Sequence, residues 1–166
     1  MILGMSTSTF TLVHVLLSLA GIGTGFIVLF GLLTGKRLDG WTTIFLITTA
    51  ATSITGFLFP FEHLLPSHIL GMLSLLVLAL VIPARYVFHL SGAWRRVYVI
   101  GAAIALYLNV FVAIVQAFLK IPALKAMAPT QTEAPFVIAQ CLALGVFLVL
   151  TILAAKRFRG DQSLTA

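Results

Sequence analysis

Long apolar runs alternate with short polar segments along this chain. Five runs are each long enough to cross a hydrocarbon core of about 30 Å as a helix, at about 1.5 Å per residue. They cover residues 9–33, 41–59, 67–89, 94–119 and 135–155. The pattern therefore predicts an all-α fold, a single membrane domain over residues 1–166 in which five spans form a polytopic transmembrane helix bundle.

Most connections between the runs are short. The turns at residues 34–40 and 90–93 contain glycine, which often ends a helix. Short links favour antiparallel neighbours, so we expect an up-and-down bundle. The exception is an outer loop over residues 120–134, in which residues 122–127 have room for one or two helical turns. A connection of this length is often a lid or a binding segment, and a plain surface link is the alternative.

The distribution of charge predicts the orientation in the membrane. The sequence has ten Lys and Arg against four Asp and Glu, a net charge of +6. With five spans, only Lys120 and Lys125 fall on one side of the membrane and all other basic residues fall on the opposite side. Basic loops stay in the cytoplasm. The N-terminus is therefore expected outside and the C-terminus cytoplasmic, in the inner (plasma) membrane of a bacterium.

Composition narrows the function classes further. With 61% hydrophobic and 8% charged residues, few groups are able to do chemistry, and the lipid bilayer is the expected surrounding. No solvated basic face exists, so nucleic acid is excluded as a partner. Cys141 is the only cysteine, which excludes an intramolecular disulfide and a thiolate metal cluster.

Polar positions in the first run form a stripe. His14, Ser18, Gly21 and Gly25 are separated by four, three and four residues and share one face of a helix. Polar groups avoid lipid, and small residues allow helices to approach closely. The stripe is predicted to pack against other helices, either within the chain or in a homodimer or a larger membrane complex.

Other polar groups in the runs have ordinary structural interpretations. Thr48, Thr52 and Thr55 share a face of the second run, and their hydroxyls are expected to bond to carbonyls one turn earlier or to hold helices together. Asn109 lies near the middle of the fourth run, where an amide usually joins two helices. Arg85 lies at the cytoplasmic boundary and is expected to extend its head group into water.

Groups suited to ligand binding concentrate at the outer end of the predicted bundle. They are His14, Glu62, His63, His68, Gln116, Glu133 and Gln140. A transition metal would be held by the imidazoles of His14, His63 and His68 with the carboxylate of Glu62. Haem b would need two facing imidazoles, for which His14 and His68 are the available pair, with Gln116 beside them. A quinone or a proton site, with a redox-linked function, would use His and Glu because imidazole titrates near neutral pH.

None of these sites has a diagnostic spacing. The sequence contains no GxSxG, HExxH or phosphate-loop motif, so whether the chain is an enzyme stays open. The leading hypothesis is an outward-facing His/Glu ligand site for a metal, haem or quinone. One alternative is a non-catalytic accessory or assembly subunit whose polar groups only specify helix packing. The other is a small transporter that uses the outer loop as a lid.

Overall fold

The computed structural model describes Ile2, residues 4–59 and residues 66–159. Over these residues every regular element is an α-helix, which confirms the all-α prediction. The helices are α1 (Thr7–Leu33), α2 (Asp39–Gly56), α3 (Pro66–Tyr86), α4 (Ala93–Lys120), α5 (Pro122–Met127) and α6 (Ala134–Arg157).

Local sequence signals explain where the helices begin and end. The Ser6 hydroxyl caps α1 by accepting a hydrogen bond from the Thr9 amide at 3.1 Å. After α1, Gly35 adopts a φ of +71°, a conformation that costs glycine little, and the chain turns. Pro135 occupies the first turn of α6, where its missing N–H leaves no helical bond unmade. These signals place each boundary within a few residues of the predicted one.

Among the described helices, four are long and apolar enough to cross a membrane. They lie at Thr7–Leu33, His68–Tyr86, Ala93–Lys120 and Ala134–Arg157. The remaining long helix, α2, has 18 residues and is rich in threonine. The chain thus has the features of a multi-pass membrane protein, whereas the fifth span and the orientation of the termini stay predictions.

The helices α1 to α4 form an up-and-down bundle. The second helix packs between α1 and α3, and α4 closes the bundle by contacting both α1 and α3. The last helix, α6, packs against α4 and α1 from outside, and α5 packs on α4. We call the end with α5 the α5 end. The opposite end, the basic end, carries Lys36, Arg37, Arg85, Arg95, Arg96, Lys156, Arg157 and Arg159.

The predicted stripe on α1 packs inside the chain. A Cβ atom at Gly25 would lie 2.6 Å from Leu106 Cδ1 and 2.8 Å from Phe45 Cε2. A Cβ atom at Gly21 would lie 3.4 Å from the hydroxyl oxygens of both Thr48 and Thr49. The small residues therefore allow α1 to approach α2 and α4 closely, and this face of α1 is occupied within one copy of the chain.

The hydroxyls of α2 behave largely as expected. Thr48 and Thr55 donate to the carbonyls of Ile44 and Ala51, at 2.7 Å in each case, which confirms the bonding to the preceding turn. Thr52 differs, because its buried hydroxyl has no hydrogen-bond partner in the part of the chain that is described.

Candidate functional site

His14 is held in a defined orientation at the α5 end. Its Nδ1 lies 2.8 Å from the Thr55 hydroxyl oxygen, which joins α1 to α2. The Thr55 hydroxyl uses its single hydrogen to donate to the Ala51 carbonyl. It must therefore accept from His14, so the neutral imidazole carries its proton on Nδ1. The lone pair is then on Nε2.

One aromatic side chain packs directly against this imidazole, and a second packs against the first. The Phe59 ring meets the His14 ring edge-on, with centroids 5.2 Å apart and an interplanar angle of 88°. Phe10 packs against Phe59 at 5.0 Å, and Gly56 faces His14 Cε1. We call these four residues, with Thr55, the His14 niche. His14 is half-buried, and its Nε2 makes no hydrogen bond within the described residues.

His68 has a different environment at the same end of the bundle. It lies in the first turn of α3, is buried, and packs against Phe57 with ring centroids 5.7 Å apart. His14 packs against Phe59 instead. These contacts add no support for the haem site of His14 and His68, which stays a prediction.

A metal site also lacks support. Glu62 and His63, two of its four predicted ligands, lie outside the described residues. Within residues 4–59 and 66–159, no three or more His, Cys, Asp or Glu side chains come together in a group able to hold a metal ion. A structural Zn²⁺ needs four ligands and a catalytic one at least three. The metal site of His14, Glu62, His63 and His68 therefore stays a prediction.

The Glu133 carboxylate forms hydrogen bonds within the loop that precedes α6. Its carboxylate accepts hydrogen bonds from the Thr130 hydroxyl at 2.8 Å, the Thr130 amide at 3.2 Å and the Thr132 amide at 3.1 Å. Desolvation alone would raise the pKa of Glu133, but these hydrogen bonds outweigh it and lower the pKa below its usual value. In the same loop Gln131 donates to the Val115 carbonyl at 2.9 Å, which ties the loop to α4.

The remaining amides at this end lie on α4 and α6. Gln140 donates to the Phe111 carbonyl at 3.2 Å, and its own carbonyl oxygen is buried without a partner among the described residues. Gln116 is half-buried on α4. Deeper in the bundle, Asn109 donates to the Thr49 hydroxyl at 3.1 Å and joins α4 to α2, the helix-joining role expected for it. These contacts join helices, and none of those found among the described residues involves His14.

The basic end contains a cluster that the sequence did not predict. The interpretation of Arg85 as a residue that extends into water is wrong, because its side chain is only 2% exposed. Arg85 forms an ion pair with Asp39, which also pairs with Arg37 at 2.9 Å. The Arg85 guanidinium lies 5.2 Å from the Tyr98 ring centroid and 5.6 Å from that of Tyr86. The signal for this pair was Asp39, a lone acidic residue in the first turn of α2, directly after the basic residues Lys36 and Arg37.

Comparison of the chain with protein-family models, with curated proteins and with solved structures found no match. The function therefore has to be argued from the geometry above.

Proposed function

We propose that this chain is a multi-pass membrane protein that binds a small aromatic ligand of the quinol class at the His14 niche. The observation that carries the proposal is the orientation of His14 by Thr55. A hydrogen bond to one ring nitrogen determines which nitrogen is left to accept a proton or a ligand. Here that nitrogen is Nε2 of a half-buried imidazole whose ring packs against Phe59.

The chemistry of the niche favours a quinol over the other ligands considered. A quinol hydroxyl can donate to the Nε2 lone pair, and its ring can pack edge-to-face against Phe59 and Phe10. A quinone has only acceptor oxygens and would need the imidazole to be protonated first. One imidazole without a group of further ligands among the described residues is a poor metal site. The proposal concerns binding and assigns no catalytic step.

The test is equilibrium binding of a short-tailed quinol to the purified protein in detergent micelles. His14→Leu should weaken binding at least about tenfold. Thr55→Val keeps the imidazole but removes its orienting partner, and should weaken binding about fivefold, the effect of one hydrogen bond of ~1 kcal/mol. The matched control is His89→Asn at the basic end, where φ is +47° and asparagine is tolerated.

The outcome of this test is unambiguous. Unchanged affinity in His89→Asn with loss in His14→Leu supports the proposal. Equal affinity in the wild type and His14→Leu contradicts it. Binding of the quinone as tightly as the quinol at pH 8, where the imidazole is neutral, would contradict the assignment of Nε2 as the acceptor.

The orientation of the protein belongs to the same proposal. We propose that the chain crosses the plasma membrane five times. The N-terminus and α5 lie outside the cell, and the basic end lies in the cytoplasm. Two features support it: α2 packs along both α1 and α3, and the basic end carries all Lys and Arg except Lys120 and Lys125.

A second function, that of a non-catalytic accessory or assembly subunit, is favoured by the interior polar contacts. Ser53 donates to Ser74 at 3.0 Å between α2 and α3, and the contacts of Asn109, Gln131 and Gln140 likewise join helices or tie a loop to one. Such pairs specify packing. This function predicts a partner that co-purifies at constant stoichiometry from mild detergent, with no quinol binding in the wild type.

A further inference from the structure

A groove opens at the basic end between the first turn of α4 and the last turns of α6. Its volume is about 570 Å³, within the range of small-ligand sites. The groove is lined by Arg95, Arg96, Ile152, Ala155, Lys156 and Arg159. Four of these six side chains are cations, and the other two are apolar.

The walls of the groove are held in place by contacts at the end of α6. Arg95 donates from Nη1 to the Arg159 carbonyl at 2.8 Å, which joins α4 to the chain beyond α6. Phe158, directly before Arg159, is 1% exposed and packs against the buried Tyr98 ring with centroids 6.1 Å apart. Contacts between α4 and the end of α6 therefore hold the walls of the groove in place. Phe158 anchors this region to the core through Tyr98, which also neighbours Arg85.

The positive charge in the groove has no acidic partner among the described residues. The two ion pairs among the described residues both use Asp39, which pairs with Arg37 and Arg85 outside the groove. The N-cap of α4, Gly92, provides no side-chain cap, so the positive end of the helix dipole adds to the same field. An anion entering the groove would meet four cations, none of which pairs with a carboxylate among the described residues.

The position of the groove favours a lipid head group as the source of that anion. Arg95 and Lys156 belong to the terminal turns of two helices long and apolar enough to cross a membrane. Head-group phosphates lie at this depth in a bilayer. Ile152, more than half exposed, and Ala155 continue the groove along α6 as an apolar surface. A phosphate bound by the cations would leave acyl chains against these apolar residues.

We infer that this groove is a binding site for the phosphodiester of an anionic phospholipid. Arginine is suited to the head group because its planar guanidinium can donate two parallel hydrogen bonds to phosphate oxygens. Basic pockets between transmembrane helices recognise anionic lipids by the same electrostatics. The inference does not depend on the His14 niche, which lies at the opposite end of the bundle.

The test uses tryptophan quenching by brominated lipid in the full chain. Trp94 precedes Arg95 and stacks on Phe88 with ring centroids 4.0 Å apart. In a Trp41→Phe background Trp94 is the single tryptophan. Quenching is measured in micelles containing brominated phosphatidylglycerol or brominated phosphatidylcholine. Phosphatidylglycerol should quench Trp94 at no more than about one tenth of the mole fraction that phosphatidylcholine needs, because each Lys or Arg contact contributes about fivefold and the groove offers more than one.

Two double variants isolate the groove from the general charge of this end. Arg96→Gln/Lys156→Gln removes two groove cations and should abolish most of the preference for phosphatidylglycerol. The matched control, Lys36→Gln/Arg157→Gln, removes the same charge from the same end outside the groove and should retain the preference. The charge-preserving variant Arg96→Lys/Lys156→Arg should also retain it, and it keeps the test valid should the neutral variant fold poorly.

Three results would overturn the inference. Equal loss of preference in the groove variant and the matched control would mean diffuse attraction without a site. No preference of the wild type for phosphatidylglycerol would mean no binding. Full competition by glycerophosphate at equal concentration would show a site for soluble phosphate and no requirement for lipid.

Discussion

At the scale of single residues, Arg85 shows how a charge is accommodated inside this bundle. Its side chain is 2% exposed, and its carboxylate partner Asp39 is 67% exposed. The face of the Tyr98 ring, 5.2 Å away, covers the guanidinium from the core side. A buried cation without a partner costs several kcal/mol, but water around Asp39 screens this pair. The pair therefore contributes less than a fully buried one.

Neutralising Asp39 tests this assignment. Asp39→Asn should lower the free energy of unfolding by about 1–3 kcal/mol, because it leaves the buried guanidinium with aromatic neighbours only. Arg37→Gln removes the exposed partner of the same carboxylate and should cost no more than about 0.5 kcal/mol. Both values are measured by denaturant unfolding in micelles, followed by far-ultraviolet circular dichroism. Equal losses in the two variants would show that burial of Arg85 is not the reason.

The sequence predicted the end of the bundle at which Arg85 lies, but the expectation that its side chain extends into water was wrong. Asp39 and Arg85 lie 46 positions apart, and the antiparallel order of α2 and α3 brings their ends together. Whether the guanidinium enters the bundle or turns toward water depends on how α3 is rotated about its axis. That rotation is set by packing against α2 and α4, which no local pattern records.

At the scale of elements, α1 is the helix whose packing depends most clearly on small residues. Gly25 faces Leu106 and Phe45, both 1% exposed and therefore closely surrounded. Gly23, two positions away on the same helix, has nothing within 4 Å of an added Cβ atom. Within one turn of α1, position 25 is therefore packed closely against other helices, whereas position 23 has room for a side chain.

This difference gives a matched pair of substitutions. Gly25→Ala should destabilise the protein by about 1–3 kcal/mol, because the added methyl group overpacks a core that cannot yield easily. Gly23→Ala should be neutral or stabilising by up to about 1 kcal/mol, since alanine favours a helix over glycine. The midpoint of thermal unfolding in micelles distinguishes them. A larger loss for Gly23→Ala would place the contact face of α1 elsewhere.

At the scale of the whole molecule, the two ends of the bundle differ in chemistry. The basic end holds most of the cations, the Asp39–Arg85 pair and the groove between α4 and α6. The α5 end holds His14, His68 and the loop organised by Glu133. Such an asymmetry suits a protein that meets different surroundings on the two sides of a membrane.

Labelling of single cysteines tests the number of crossings and the orientation together. In a Cys141→Ser background, cysteine replaces Ser6, Lys36, Ser91 or Ala126, and intact cells are treated with a membrane-impermeant maleimide. We expect labelling at positions 6 and 126 only, because five spans place positions 36 and 91 in the cytoplasm. Permeabilised cells provide the control that all four sites react. Labelling of position 91 together with position 6 would show that α2 does not cross.

The order of apolar runs by itself determined that this protein is an all-helical bundle with the features of a multi-pass membrane protein. A chain in lipid must satisfy its own backbone hydrogen bonds, and for long apolar segments the helix does so locally. Ser6, Gly35 and Pro135 likewise encode helix boundaries without reference to the rest of the fold. Only the tertiary structure decided which polar groups meet. Pairing of His14 with Thr55, burial of Arg85 and the groove at Arg95 all depend on the rotation and contact of whole helices, and these are set by side chains far apart in the chain.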